Sequence, residues 1–308
     1  MSQSIVLRGK RVRRLYAARR IYLFVLPGLL FFLVFRYYPL YFLQIAFRNY
    51  RVTRPLDASP WVGFAYFREV FTSVSFAGAL ENTLILNLSK LLICFPAPIV
   101  LALMLNELKS RSYKRVVQTI LYLPHFISWV VISSILTNFL SVQGGLINKL
   151  TALFGAGPVM FLGEKAYFKP ILVLSDLWKE SGYGAIIYLS ALTAIDPQLY
   201  DAAAIDGAGR LQCIWHIALA GIKETIVVML ILRIGSMLSG SFDQVQSLIN
   251  PQVLAAGDTL DTFVYRLGIS QNRYGFAAAA GLFNSAVAAA LLFCSDRFAK
   301  RLGERGLF

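Results

Sequence analysis

Asp176, Lys179, Glu180 and Tyr183 stand at spacings i, i+3, i+4 and i+7. On an α-helix that spacing puts all four on one face. The surrounding stretch, Ile171 to Ile195, is otherwise apolar, and each charge set against lipid would cost about 2.5 kcal/mol or more. The face must therefore point into the protein or into an aqueous cavity. One chemistry that fits is the polar wall of a translocation path for hydroxyl-rich solutes. Sugars are well held by mixed donors and acceptors beside aromatic faces, here Trp178 and Tyr183. Equally, Lys90 or Arg233 could pair with Asp176 or Glu180 in an internal network that only fixes helix packing, and both readings can hold together. A third chemistry uses Asp176 and Glu180 as the proton relay of a gradient-driven transporter. In another apolar run, Asn87 and Lys90 share a face at i, i+3; they line a cavity or bond to neighbouring helices.

The second stretch with unusual spacing is Leu199 to Ile217, a polar interruption between two long apolar runs. Tyr200 to Ile205 is Ala-rich and predicts a short helix. Asp206-Gly207 signals a turn, since glycine supplies the positive φ that other residues resist. Gly209 to Ile217 predicts a second short helix with Leu211, Ile214 and Trp215 on one face. A helix, a glycine turn and a helix between apolar runs make either a plain connector or a docking surface. Other chemistry is absent. Cys94 and Cys294 lie in apolar runs and Cys213 in the polar stretch, without metal or disulfide spacing, and His125 and His216 have no companion motif. No phosphate loop, nucleophile elbow or HExxH occurs. No metal or cofactor site is expected in this chain, nor an enzymatic activity; if ATP drives its work, ATP is hydrolysed elsewhere.

The elements that must hold these residues are membrane helices. The chain has 308 residues, 57% of them hydrophobic and 15% charged, with mean hydropathy +0.62. Runs of about 20 apolar residues in such a composition indicate membrane spans. Six are expected: Ile21 to Val34 resuming through Phe47, Leu84 to Leu105, Val116 to Leu140 interrupted by Pro124, Ile171 to Ile195, Thr225 to Leu248, and Phe276 to Phe293. Residues 1–20 form a basic tail, carrying Arg8, Lys10, Arg11, Arg13, Arg14, Arg19 and Arg20 without an acid, and 21–308 a single six-helix membrane domain. The net charge of +14 comes from residues clustered beside apolar runs, which is topology information and not a nucleic-acid footprint. The basic excess places both termini and the segment 196–222 in the cytoplasm. Small residues Ala278, Ala279, Ala280 and Gly281 permit close helix approach in the last span. There is no internal repeat of the kind common in secondary transporters.

Asp201-Ala202-Ala203-x-x-Asp206-Gly207-Ala208, followed by Ile217, resembles the coupling loop of ABC importer permeases. Asp201 stands where that family usually has Glu, and Ala220 and Glu224 where prolines are common. Further stretches are similar to the oligosaccharide-importing branch: Asn82-Thr83-Leu84 with Phe95-Pro96-Ala97-Pro98, Tyr122 to Trp129, Tyr274 to Ala277 with Gly281 to Ser285, and Arg301 to Glu304. The resemblance covers most of the chain from Ile21 to Phe308. It implies an all-α type I permease fold in a bacterial plasma membrane, with six spans and both ends inside. It also implies a second homologous permease, two ATPase subunits that carry ATP and Mg, an extracytoplasmic solute-binding protein, and an oligosaccharide substrate. Asp201, Ala202, Ala203, Asp206, Gly207 and Ala208 would then form the coupling helices.

Overall fold

The computed structural model describes residues 19–155, 157–239, 241–301 and 303, and among these the regular structure is entirely helical, with one isolated antiparallel bridge between Arg48 and Trp61. Most of the basic tail and the end of the chain lie outside the described residues. Helix α1, Arg19–Phe32, continues through a π turn at Leu33–Tyr37 and a 3-10 stretch at Tyr38–Phe47. The change of hydrogen-bond pattern coincides with Pro39, which has no N–H and whose ring clashes with the carbonyl four residues back. The wider turn, in which the Tyr38 N–H reaches the Leu33 carbonyl, accommodates it. Side chains are exposed along most of this stretch and only Ala46 is buried, so the surroundings of α1 must be lipid or another subunit.

A short helix, α2 (Ala65–Thr72), leads into α3 (Val74–Ile93), whose N-terminus is capped by Ser73 accepting from the Phe76 N–H. After a break at Cys94 and Phe95, α4 (Pro96–Asn106) starts with a proline where its missing N–H costs nothing. Next, α5 (Arg111–Tyr122) runs into a 3-10 turn at Leu123–Phe126, and α6 (Trp129–Leu140) leaves at 97° to it. Pro124 and the Ser128 cap set that corner: one ends a helix and the other starts one. Past α7 (Leu146–Leu153) comes α8 (Lys165–Thr193), the longest element at 29 residues. The polar segment then holds α9 (Pro197–Ile205) and α10 (Arg210–Cys213), the latter running through a π turn at Ile214–Ala218 into α11 (Leu219–Gly221). The chain ends with α12 (Lys223–Gly235), α13 (Phe242–Leu248), α14 (Leu254–Gly257), α15 (Leu260–Tyr265), and α16 (Tyr274–Arg301).

Three stretches are long and apolar enough to cross a membrane by themselves: Ile21–Phe47, Val74–Asn106 and Tyr274–Arg301. The bent pair Arg111–Phe126 and Trp129–Leu140 makes a fourth if it is one span. The other two expected spans fall short for physical reasons. Helix α8 has the length but carries Asp176, Lys179 and Glu180 in its middle, and Thr225 to Leu248 is split into α12 and α13. The connecting stretches Asn49 to Gly78 and Asn250 to Tyr274 are also partly helical, holding α2 and α14 with α15.

Helix α8 packs against α3, α4, α5 and α12 and so organises the interior. Gly182 is a point of close approach: a Cβ there would sit 2.0 Å from the backbone oxygen of Leu121 on α5. In the last helix, Ala279 and Ala280 are buried against Phe76, Phe263 and Leu260, whereas Gly281 has open space where its side chain would be. The expectation of close approach through Ala278 to Gly281 is therefore met by Ala279 and Ala280 and not by Gly281. Because backbone cannot yield as a flexible side chain can, Gly182→Ala should cost about 1–3 kcal/mol, while Gly281→Ala should be close to neutral. Thermal unfolding midpoints of the two variants in detergent will show whether the first falls and the second does not.

Candidate functional site

Two i, i+3 neighbours on α3, the tip of α13 and the middle of α8 meet around one ammonium group. Lys90 is only 2% exposed, and its Nζ donates to Asp176 Oδ1 at 3.1 Å, Gln244 Oε1 at 2.6 Å and Ser241 Oγ at 3.2 Å. The amide of Gln244 donates onward to the Leu172 carbonyl at 2.7 Å and Ser175 Oγ at 2.9 Å, both on α8. Ser241 donates to Asn87 Oδ1 at 3.3 Å, and the Asn87 amide donates to the Thr83 carbonyl. Arg233 of α12 approaches the other Asp176 oxygen at 3.5 Å. A buried lysine is tolerable only when its donors are used and its charge is matched. Here three donors meet three acceptors, one of them a carboxylate. Asn87, Lys90, Asp176 and Arg233 also border a small pocket of about 60 Å³.

The rest of the α8 face divides. Lys179 is buried, and its Nζ donates to the carbonyls of Pro124, His125 and Ile127, at 3.4 Å and 2.9 Å for the first and last. These carbonyls lie at the 97° corner between α5 and α6, where the helix ladder is broken and acceptors are left over. The ammonium also sits 5.6 Å from the centre of the Trp129 ring. Glu180 is half-exposed and bonds to His125 Nδ1 at 2.8 Å, with Lys179 at 3.6 Å. The His125 ring stacks on Tyr183 at 3.8 Å with 2° between planes.

Glu180 and Tyr183 thus face a cavity of about 430 Å³ whose other walls include His125, Trp129, Tyr188 and Arg233. Asp176 reaches its edge, while Asn87, Lys90 and Lys179 are not among its walls. Trp178 is exposed but does not line it; the indole in the wall is Trp129. His125 was overlooked in the sequence because its partners lie 55 and more residues away, although the Pro124 break beside it marks where a side chain can leave the helix line. Of the two readings of the charged face, the ion-pair one is present at Asp176 with Lys90 and Arg233, and Glu180 and Tyr183 are where a path could run.

The polar segment is built by local rules. Asp196 caps α9 by accepting from the Gln198 N–H at 2.9 Å, with Pro197 at the first helical position. At the other end the Ala208 N–H reaches the Ala203 carbonyl at 2.9 Å and the Gly207 N–H the Ala204 carbonyl at 3.2 Å, a Schellman closure. That closure needs a left-handed residue, and Gly207 takes φ +76°. Gln212 Oε1 accepts from the Gly209 N–H at 2.7 Å and starts the next helix. Asp201, Ala202, Asp206 and Gly207 are exposed, Ala203 and Ala208 half-buried, and a hollow of about 290 Å³ lies among Ala203, Asp206, Gly207, Ala208, Gln212 and His216. Ile205 is 88% exposed, and Leu211 and Trp215 are also exposed. The root of the segment is the opposite: Ala218 and Ile222 are buried with Ala102 and Leu105 of α4 and Ala185 and Leu189 of α8. The Tyr200 hydroxyl is buried with no hydrogen-bond partner among the described residues, and burial, with the negative charge of Glu107, holds its pKa above the usual phenol range.

Residues 95–305 match the family described as "Binding-protein-dependent transport system inner membrane component". The chain is 43% identical to the protein LplB of Bacillus subtilis (strain 168) over 303 residues, spanning 97% of this chain and 95% of that one. It is 42% identical to the "Polygalacturonan/rhamnogalacturonan transport system permease protein YteP" of the same organism, over 98% and 94% of the two chains. Among solved structures, a chain of a bacterial ABC transporter involved in the import of the acidic polysaccharide alginate superposes with TM-score 0.89 at 39% identity, covering 95% of this chain and 99% of that one. A second structure of a bacterial alginate transporter, in complex with an alginate pentasaccharide-bound periplasmic protein, gives the same TM-score at 38% identity, over 96% and 99% of the two chains.

The ion-pair geometry orders the cost of losing each charge. Asp176→Asn leaves Lys90 and Arg233 facing each other without a carboxylate, a loss of about 3–5 kcal/mol. Lys90→Met removes one cation while Asp176 keeps Arg233, so it should be the milder change. Yield of folded protein and thermal midpoint in detergent, compared for the two variants, check the order; equal losses or the reverse would refute it.

Proposed function

This chain belongs to the family of binding-protein-dependent transport system inner membrane components, and from that premise we propose that it forms half of the path for an oligosaccharide in an ATP-driven importer. It is a multi-pass membrane protein and a transport component with no catalytic role of its own. In our reading a second, homologous permease supplies the other half of the path. Two ATPase subunits bind ATP and Mg, and an extracytoplasmic solute-binding protein delivers the sugar. The chain would cross a bacterial plasma membrane six times with both ends in the cytoplasm, α8 and the α12–α13 pair being spans shielded from lipid by protein. The substrate class draws on the names of the relatives and on a cavity walled by Tyr183, His125, Trp129 and Tyr188, a set of stacking faces and hydrogen-bonding groups suited to sugar rings.

The observation that carries the reading is the contrast within the segment 196–222. Its tip exposes Ile205, Leu211 and Trp215 around the Schellman turn, while its root is packed into α4 and α8 through Ala218 and Ile222. Clustered exposed apolar side chains mark a contact surface, and an ATPase groove is the partner that fits. Closure of the ATPase pair would push on α9 to α11, and the buried root would pass the displacement to the helices that wall the cavity. The proton-relay alternative draws no support from Asp176 or Glu180, whose oxygens are held by Lys90 and Arg233 and by His125 and Lys179.

The double variant Ile205→Asp, Leu211→Asp tests this at a site where neither side chain contributes to the core. Each lost apolar contact is worth about 1.5–3 kcal/mol if fully buried on docking, so copurification of the ATPase subunits should fall at least about tenfold. The permease pair should still reach the membrane in normal amount. ATPase subunits retained at the wild-type level, or none recovered with the unaltered chain, would mean that the segment is only a connector.

A further inference from the structure

The charges around the cavity do not balance. Among the described residues, Asp176 and Glu180 face three fixed cations, Lys90, Lys179 and Arg233, besides the His125 imidazole bonded to Glu180. Lys179 sits beside Glu180 at 3.6 Å, and both side chains have their hydrogen bonds taken up at the α5–α6 corner. Asp176 is shared. Lys90 holds it at 3.1 Å from a fully enclosed position, with the lysine side chain 3% exposed. Arg233 reaches the second oxygen only at 3.5 Å and keeps 40% of its side chain exposed. One carboxylate cannot neutralise two cations, so a positive charge is left over on the more exposed of the pair. That charge lies in the cavity wall, with His125, Trp129 and Tyr183 among the other walls. A guanidinium offers up to five N–H donors in a planar fork, which matches a carboxylate better than it matches hydroxyls. An unmatched cation within the membrane is costly, and a path that carries anions is one setting in which its cost is recovered.

We propose that Arg233 is a specificity-determining residue of the path and that the substrate is an acidic oligosaccharide, built of sugar units that carry carboxylates. The proposal rests on the importer reading above and adds to it the chemical class of the cargo and the residue that recognises it. In this arrangement the fork of Arg233 swings between Asp176, its resting partner, and the carboxylate of a passing sugar ring, while Tyr183, His125 and Trp129 offer faces to the ring itself. Lys90 stays with Asp176 throughout, so the network that holds α3, α8 and α13 together does not open when Arg233 changes partner.

The test uses the complete importer, purified without its solute-binding protein so that binding reports the permease cavity alone. The probes are trigalacturonate and trimannuronate, each beside its fully methyl-esterified form, which keeps the ring and linkage and removes the charge. Calorimetric titration should show at least one acid bound about tenfold or more tightly than its ester. Arg233→Gln should abolish that preference, bringing acid binding down to the level of the ester. Arg233→Lys should keep the preference with weaker binding, which separates a charge effect from damage to the fold. Acid and ester bound alike by the unaltered importer would overturn the proposal, as would an unchanged preference in Arg233→Gln. If Arg233→Gln instead breaks apart the permease pair, and the unaltered importer shows no acid preference, the guanidinium serves the partner subunit and the proposal fails. Addition of the solute-binding protein then separates the two levels. ATP hydrolysis stimulated by neutral maltotriose but by neither acid refutes the role of Arg233 and leaves the importer standing. No stimulation by any oligosaccharide, acidic or neutral, removes both.

Discussion

The ion pair between Lys90 and Asp176 is the contact on which the interior depends. Neither charge could stay in an apolar environment alone, because each would cost several kcal/mol. Once paired, they impose geometry on everything near them. Lys90 must be supplied with two more acceptors, and these come from Ser241 and Gln244 at the start of α13. Gln244 must then place its own amide, and it does so on α8. The break between α12 and α13 follows from this demand: a continuous helix through Ser236 to Ser241 would not necessarily turn its end toward α3 and α8. Specificity of packing is gained here from polar groups that must be satisfied, since apolar contacts alone distinguish poorly between helix partners inside a membrane.

The same logic explains the corner at Pro124. A bend of 97° in a span leaves backbone carbonyls without intrahelical donors, and in lipid surroundings each would be a serious loss. Lys179 answers three of them with one ammonium group. A charged residue that looks in the sequence like a candidate for solute contact is therefore also a backbone donor supplied from a neighbouring helix. Because Lys179 is turned into the protein, Glu180 and Tyr183, with Asp176 at the edge, are the members of the α8 face left toward the cavity, and His125 is brought there by the corner itself.

Legibility in the sequence followed the range of the interactions. The glycine turn at Gly207, the short helix before it and the proline interruption at Pro124 obey local rules, and all three are found. The common face of Asp176, Lys179, Glu180 and Tyr183 was readable from helical spacing, but its division into buried and cavity-facing halves was not. That division depends on where α3 and the α5–α6 corner lie, which no spacing within α8 encodes. The break in the expected fifth span was hidden for a similar reason. In the sequence Ser239 to Gln246 is only the polar end of that run, and the contacts of Ser241 and Gln244 with Lys90 show why polarity is needed there. Trp178 was misjudged because hydropathy gives aromatic residues no direction; the structure uses Trp129 in the cavity wall instead.

Helix α8 joins the two halves of the molecule's work. At about 1.5 Å per residue its 29 residues span roughly 44 Å, enough to reach from one side of a membrane to the other. It carries Asp176, Glu180 and Tyr183 midway, and a few residues beyond its end the Asp196 cap begins α9. The root of the polar segment then folds back, so that Ala218 and Ile222 are buried in one cluster with Leu189 and Leu192 near the end of the same helix. A displacement of α9 to α11 is thus applied to α8 twice, through the chain and through packing. Gly182 adds the condition that α8 cannot move away from α5 without losing the close backbone approach at Leu121. Under the proposed coupling, motion of the segment would carry α5 and the Pro124 corner with α8, and with them the His125 and Tyr183 pair that faces the cavity. Such a body responds by shifting between packed arrangements, since densely packed helices resist continuous deformation. In the importer we propose, the cavity wall and the tip of the segment would be parts of one moving unit, with α8 the member common to both.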